Sequence, residues 1–220
     1  MLRKLAIVVA TGVVGLALLV AAAPALLYLW GRSLLPADRA PVDPAAFTPL
    51  AIEFTWIQFG GEGPPRFEAL DPYTYLSRAR SPEYDAISNT AFSAARVLLF
   101  RHRTQYPPRP WPVAAGAGTI WVSRHWSAEE ALASVLESAN YGHGFTTFAG
   151  ASRGYFGADP EQLSPYQTAQ LVALTWSSTA DPWCRPARSA EKSSQLLARH
   201  WREMSPGSRT VLPMPEGACR

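Results

Sequence analysis

This chain predicts a mainly helical domain behind a single N-terminal membrane-spanning helix. Three observations predict it. Leu5 to Trp30 runs without a charged residue, and about 20 apolar residues suffice to cross a bilayer core. Two helix-start signatures, Ser127-Ala128-Glu129-Glu130 and Ser164-Pro165-Tyr166-Gln167, precede apolar positions at helical spacing. Strand-like runs are scarce in the remainder, and 220 residues leave room for one domain.

The N-terminal run is read as an anchor over residues 1–30. Arg3 and Lys4 before it favour a cytoplasmic N-terminus, and Tyr28 and Trp30 stand where an interfacial aromatic belt falls. Ala21-Ala22-Ala23 offers a cleavage site for the alternative, a signal peptide; the run exceeds the usual signal core of about 7–15 residues. Residues 31–50 carry four prolines and little periodicity, and read as an extended Pro/Ala-rich stalk. Residues 51–59, AIEFTWIQF, are β-branched and aromatic and read as a short strand before a Gly/Pro loop at 60–65.

Helical spacing begins near Pro82, with Ile87, Ala91, Ala94, Ala95 and Leu98 on one face. It stops near His102, because Pro107, Pro108, Pro110 and Pro112 follow. Ala114 to Gly118 is small and reads as flexible. Behind the first capping box Ala131, Leu132, Val135, Leu136 and Ala139 form an apolar face that Gly142 and Gly144 terminate. A short helix over 146–154, a helix from Pro165 to about Trp176 and a last one over 187–204 complete a domain spanning 51–204, with a tail at 205–220.

The formal charge of +3 is mild. It suits a surface near anionic headgroups or a pyrophosphate-bearing ligand and gives no footprint for nucleic acid. Cys184 and Cys219 do not form a C-x-x-C pair, so no zinc motif is present; in an oxidising compartment they can pair and pin the tail, or remain free thiols. The four histidines show no H-x-x-x-H spacing, and no metal site is indicated. Gly150-Ala151-Ser152-Arg153-Gly154 fits the G-x-S-x-G nucleophile elbow, with Asp181 and His200 following in hydrolase order. That elbow needs a buried strand before the serine, and Thr146 to Ala149 makes a poor one.

A set of segments stands in a fixed order. Trp126 to Glu130 opens a helix carrying Leu132 and Leu136; Tyr141-Gly142-His143-Gly144 forms a turn; Ala151 and Tyr155-Phe156-Gly157 follow; Leu163-Ser164-Pro165 leads to Leu171. Upstream, Ser88 to Phe100 matches more loosely. Together these resemble the peptidoglycan glycosyltransferases, glycosyltransferase family 51, the transglycosylase domains of penicillin-binding proteins. The resemblance covers about 86–204. It implies a lysozyme-like fold partly embedded in the membrane surface, on the periplasmic side of a single-pass inner-membrane protein. It implies undecaprenyl-pyrophosphoryl disaccharide-peptide and nascent glycan as ligands, with other cell-wall synthesis proteins as partners. The substrate-binding positions it implies are Ser88, Arg96, Arg124, Glu137, Tyr141, Gly142, His143 and Gly144. No cofactor is expected, although the family's pattern admits a divalent cation.

The family's chemistry requires carboxylates that this chain lacks at the matching places. Its general base stands in an E-D-x-x-F motif and a second glutamate in R-K-x-x-E. This sequence has no Glu-Asp dipeptide, and no acidic residue from Ala86 to Ala128. Ala115 falls near the second glutamate's slot, Phe92 and Ser93 replace paired glutamines, Glu137 replaces an asparagine and Ala158 a lysine. Glu53 and Glu62 are the candidates for a displaced base. The leading expectation is therefore a relative that binds lipid-linked precursor or glycan with transferase activity reduced or lost. The alternatives are an active transferase using Glu53 or Glu62, and a glycan hydrolase using Glu137 as its acid.

Overall fold

A computed structural model describes residues 2–79, 85–101, 110–176 and 180–219, with side chains from Thr11 onward. The described residues form helices and no strand, in the order α1 (Leu2–Ser33), α2 (Pro49–Gln58), α3 (Pro72–Ala79), α4 (Ala86–Arg101), α5 (Trp111–His125), α6 (Ala128–Glu137), α7 (Phe148–Phe156), α8 (Pro165–Trp176) and α9 (Pro186–Arg199). The chain is mainly helical, as its patterning predicts. α1 is long and apolar enough over Thr11–Ser33 to cross a membrane.

The local start signals behave as expected. Ser127 Oγ accepts the Glu130 N–H while Glu130 accepts the Ser127 N–H, closing the capping box of α6. Ser164 and Gln167 exchange the same pair of bonds at the head of α8. Thr147 caps α7, and Gly157 ends it in the left-handed conformation at φ 68°.

Several expectations need correction. Residues 51–59 do not form a strand: they are α2, capped by Thr48 with Pro49 at its first turn. Ala51, Ile52, Phe54, Thr55, Trp56 and Ile57 are all buried, so no polar face was present to reveal the helical period. Ala114 to Gly118 is the buried centre of α5 rather than a flexible stretch. Its small side chains let neighbours approach. A Cβ on Gly116 would meet the Tyr75 ring at 3.1 Å, and one on Gly118 would meet Ala95 at 3.1 Å; tertiary packing outweighs the low helix propensity of glycine here. The last helix ends at Arg199, short of Trp201 and Met204. The limits expected for α4 near Pro82 and His102, with Pro107 and Pro108, lie outside the described residues.

Two apolar clusters hold the domain. One gathers Phe54 and Ile57 of α2, Leu132 and Leu136 of α6, Tyr155 of α7 and Leu171 and Leu174 of α8 around buried Tyr141. The other packs α4 against α5 through Ala91, Ala95 and Leu98, with Leu35, Trp121 and Trp126. The segment at 31–50, expected to reach out as a spacer, lies along the domain. Leu35 is buried, the Val42 N–H donates to Ser134 Oγ, and Trp126 Nε1 donates to the Arg39 carbonyl. α1 itself docks on α5, with Gly31 against Val113 and Ala117, and the Tyr73 hydroxyl donates to the Ala21 carbonyl at 2.6 Å.

The C-terminal tail is a strap across α7 and α8. The Leu212 N–H donates to the Tyr155 carbonyl, Gln167 Nε2 to the Thr210 carbonyl, and Trp183 Nε1 to the Leu212 carbonyl. Cys184 and Cys219 are joined by a disulfide that fastens its end.

Candidate functional site

A groove of about 650 Å³ lies where the end of α4 meets the ends of α6 and α8. α4 presents Ser93, Arg96, Phe100 and Arg101 to it at helical spacing, so one helix face supplies two guanidinium groups. Ser138 closes α6 and Thr175 lies near the end of α8; both add hydroxyls. Phe59 and Trp176 form an edge-to-face pair at 5.4 Å on the far wall, and Trp176 and Phe100 stay exposed. Arg101 also donates to the Ala40 carbonyl at 3.2 Å, so the segment after α1 helps to fix this wall. No Asp or Glu is among the described lining residues. The arrangement can hold an anion by charge-assisted hydrogen bonds and stack sugar rings on aromatic faces.

Trp176 is shared with a second cavity of about 250 Å³ bounded by Gln58, Lys192, Gln195 and Arg199. Gln58 Nε2 donates to Thr175 Oγ1 at 3.3 Å, and its buried Oε1 has no hydrogen-bond partner among the described residues.

The structure scatters the residues singled out from sequence. Arg96 lines the groove, and exposed Glu137 immediately precedes Ser138 at its edge. Glu53 lies on α2, where its carboxylate accepts from His200 Nε2 at 2.9 Å; the His200 side chain is 1% exposed. Glu62 is exposed in the loop after α2. Ser88 is buried at the head of α4, hydrogen-bonded to Asp85. Arg124, at the end of α5, donates to the Leu70 carbonyl at 2.5 Å.

Tyr141 to Gly144 form a tight turn after α6. The Tyr141 hydroxyl is buried and donates to the Leu136 carbonyl at 2.6 Å, while Gly142 and Gly144 take φ values of 75° and 80°. Burial pushes the Tyr141 hydroxyl far above the usual tyrosine range, and the charge of Glu137 adds to the shift. His143 sits between the glycines at φ 48°, and its Nε2 lies 2.6 Å from Asp181 Oδ2. Burial, then the Asp181 charge, raises Tyr155 likewise.

Sequence reasoning missed Arg101, Trp176 as a groove residue, and the partner of His143. Asp181 was legible only as a member of a hydrolase triad, which does not assemble. Ser152 is buried on α7 with its hydroxyl on the Ala158 carbonyl, while Asp181 pairs with His143 and His200 with Glu53.

The described residues form a helical domain with a cationic, aromatic-walled groove behind an apolar helix. Residues 114–200 match the family model described as Transglycosylase. That stretch runs from within α5 to the residue closing α9, and it supports a peptidoglycan transglycosylase domain with a glycosyltransferase-like function. Arg124, Glu137 and Tyr141 to Gly144 fall inside it; Glu53, Glu62, Ser88 and Arg96 lie before it. No curated protein matches the chain.

Proposed function

We propose that this is a membrane-anchored, glycosyltransferase-like protein of cell-wall biogenesis that holds lipid-linked disaccharide-peptide or nascent glycan without efficient turnover. The observation that carries the reading is the groove itself, with Arg96 and Arg101 beside hydroxyls and aromatic rings and no carboxylate among the described lining residues. Two guanidinium groups suit a pyrophosphate. Glycosyl transfer needs in addition a base within hydrogen-bond reach of the attacking hydroxyl. Glu53, engaged by His200, and Glu62, solvated in its loop, support that role poorly. In this reading α1 is a single-pass anchor in the cytoplasmic membrane and the domain is periplasmic. Other cell-wall synthesis proteins are its partners, and nucleic acid is not.

The test uses the full chain in detergent with lipid-linked disaccharide-peptide. Saturable binding without glycan polymer is expected. The double variant Arg96→Ala/Arg101→Ala should weaken binding by about tenfold or more, since a hydrogen bond to a charged group contributes about 1.5–3 kcal/mol. Glycan strands from the wild type, lost in Glu53→Gln or Glu62→Gln, would establish an active transferase instead. Cleavage of preformed glycan that Glu137→Gln abolishes would establish a hydrolase.

A further inference from the structure

We propose that His143, Asp181, Cys184 and Cys219 form a zinc-type metal site that opens when the Cys184–Cys219 disulfide is reduced. The site is separate from the groove and independent of the glycan reading.

The ligand atoms of His143, Asp181 and Cys184 all lie within 4.8 Å of one another. Cys184 Sγ stands 3.7 Å from His143 Nε2, and Nε2 stands 2.6 Å from Asp181 Oδ2. Around a tetrahedral zinc ion, with bonds of about 2.0–2.3 Å, neighbouring ligand atoms sit about 3.2–3.7 Å apart. The sulfur–nitrogen distance therefore already fits, and the nitrogen–oxygen distance must open by about half an ångström. The fourth ligand, Cys219, is bonded to Cys184 in the oxidised form and joins these three once that bond breaks and its sulfur moves in beside them.

The surroundings hold these groups as an outer shell holds metal ligands. Asp181 Oδ1 accepts the N–H groups of Trp183 and Cys184 at 2.8 Å each, and the Tyr155 hydroxyl approaches Oδ2 at 3.3 Å. The carboxylate is thus fixed in orientation while Oδ2 faces the imidazole. The rings of Trp183 and Tyr155 flank His143, with centroids at 5.0 and 6.1 Å. His143 is the one non-glycine residue at positive φ among the described residues, between two glycines that are also left-handed. Such strain in a side-chain-bearing residue persists where the surroundings over-determine it, and here it delivers the imidazole to Asp181.

The chemistry is a two-electron exchange followed by metal binding. A dithiol reductant attacks the disulfide; the sulfur–sulfur bond breaks, Cys184 and Cys219 each gain a proton, and the reductant leaves as its own disulfide. A divalent zinc ion then binds both sulfurs as thiolates and releases their two protons to water. It also binds Nε2, whose lone pair is free once the imidazole proton sits on Nδ1; a proton held between Nε2 and Asp181 passes to Nδ1 through water. The tail is tethered in both states, by a covalent bond in one and by the metal in the other.

The test uses the full chain in detergent, reduced with a phosphine, desalted without oxygen and titrated with cobalt(II). One cobalt per chain is expected, with thiolate-to-cobalt charge-transfer absorption and tetrahedral visible bands that zinc displaces. The oxidised protein should show neither. His143→Asn keeps a residue that tolerates left-handed backbone; it should lower cobalt affinity by more than about tenfold and alter the visible bands. Zinc should slow re-formation of the disulfide in the wild type and, at the same concentration, slow it less in His143→Asn. Identical cobalt spectra and affinity in that variant would overturn the proposal, because the thiols alone would then be the ligands. So would failure of the reduced protein to bind cobalt, or loss of its helical circular dichroism on reduction.

Discussion

Tyr141 is held as a neutral phenol by its surroundings. Its hydroxyl is buried, donates to the Leu136 carbonyl and feels the charge of Glu137. Tyr155 is shifted in the same direction by burial and by Asp181. In the unfolded chain a tyrosine ionises near pH 10. The two phenols therefore contribute their full stabilisation below about pH 10 and lose it as the pH rises towards their folded-state values. Denaturant titrations should show a midpoint that falls once the pH passes about 10. Tyr141→Phe should make that fall shallower, and at neutral pH should cost about 1 kcal/mol because the hydrogen bond from the hydroxyl to the Leu136 carbonyl is lost. An unchanged alkaline slope in the variant would show that this hydroxyl is not the titrating group.

At the scale of elements, the docking of α1 on α5 depends on the absence of a side chain at Gly31. A Cβ there would lie 2.6 Å from both Ala117 Cβ and the Val113 carbonyl oxygen. Because one of these is backbone, the two helices must separate. Gly31→Val should destabilise the protein by about 1–3 kcal/mol and increase proteolysis within 31–50, as read by thermal melts and digestion patterns. An unaltered melt would mean that α1 does not rest on α5 in solution.

The elements readable from sequence were those whose signals are local. Ser127 with Glu130 and Ser164 with Gln167 mark helix starts within four residues, and both are closed as predicted. α2 was hidden because it is apolar around most of its circumference, and α5 because glycines that loosen an isolated helix are what allow α3 and α4 to approach it. The strap was unreadable because its bonds, such as Gln167 to Thr210, join residues far apart in the chain. The groove was half legible: motif order singled out Arg96, whereas Arg101 and Trp176 matter only once α4 and α8 end side by side.

For the molecule as a whole, α1 is part of the folded body as well as a candidate anchor. It walls an apolar groove of about 200 Å³ with α3 and α5, where Leu27 and Tyr28 face Tyr75 and Ile120. Deleting residues 1–30 uncovers that face. The truncated protein should lose about 1–2 kcal/mol, roughly 2–8 °C in melting temperature at this chain length, and should associate in the absence of detergent. An equal melting temperature and a monodisperse monomer would show that the domain stands without α1.

The Tyr73–Ala21 hydrogen bond and the Gly31 contact also tie α1 to the domain at two places. A helix that spans a bilayer adjusts its tilt to the hydrocarbon thickness. With α1 locked to α3 and α5, such a tilt becomes a rotation of the entire body. Were α1 set in a bilayer, the protein would act as a lever, and a change in membrane thickness would swing the mouth between Arg96 and Trp176 towards or away from the headgroups.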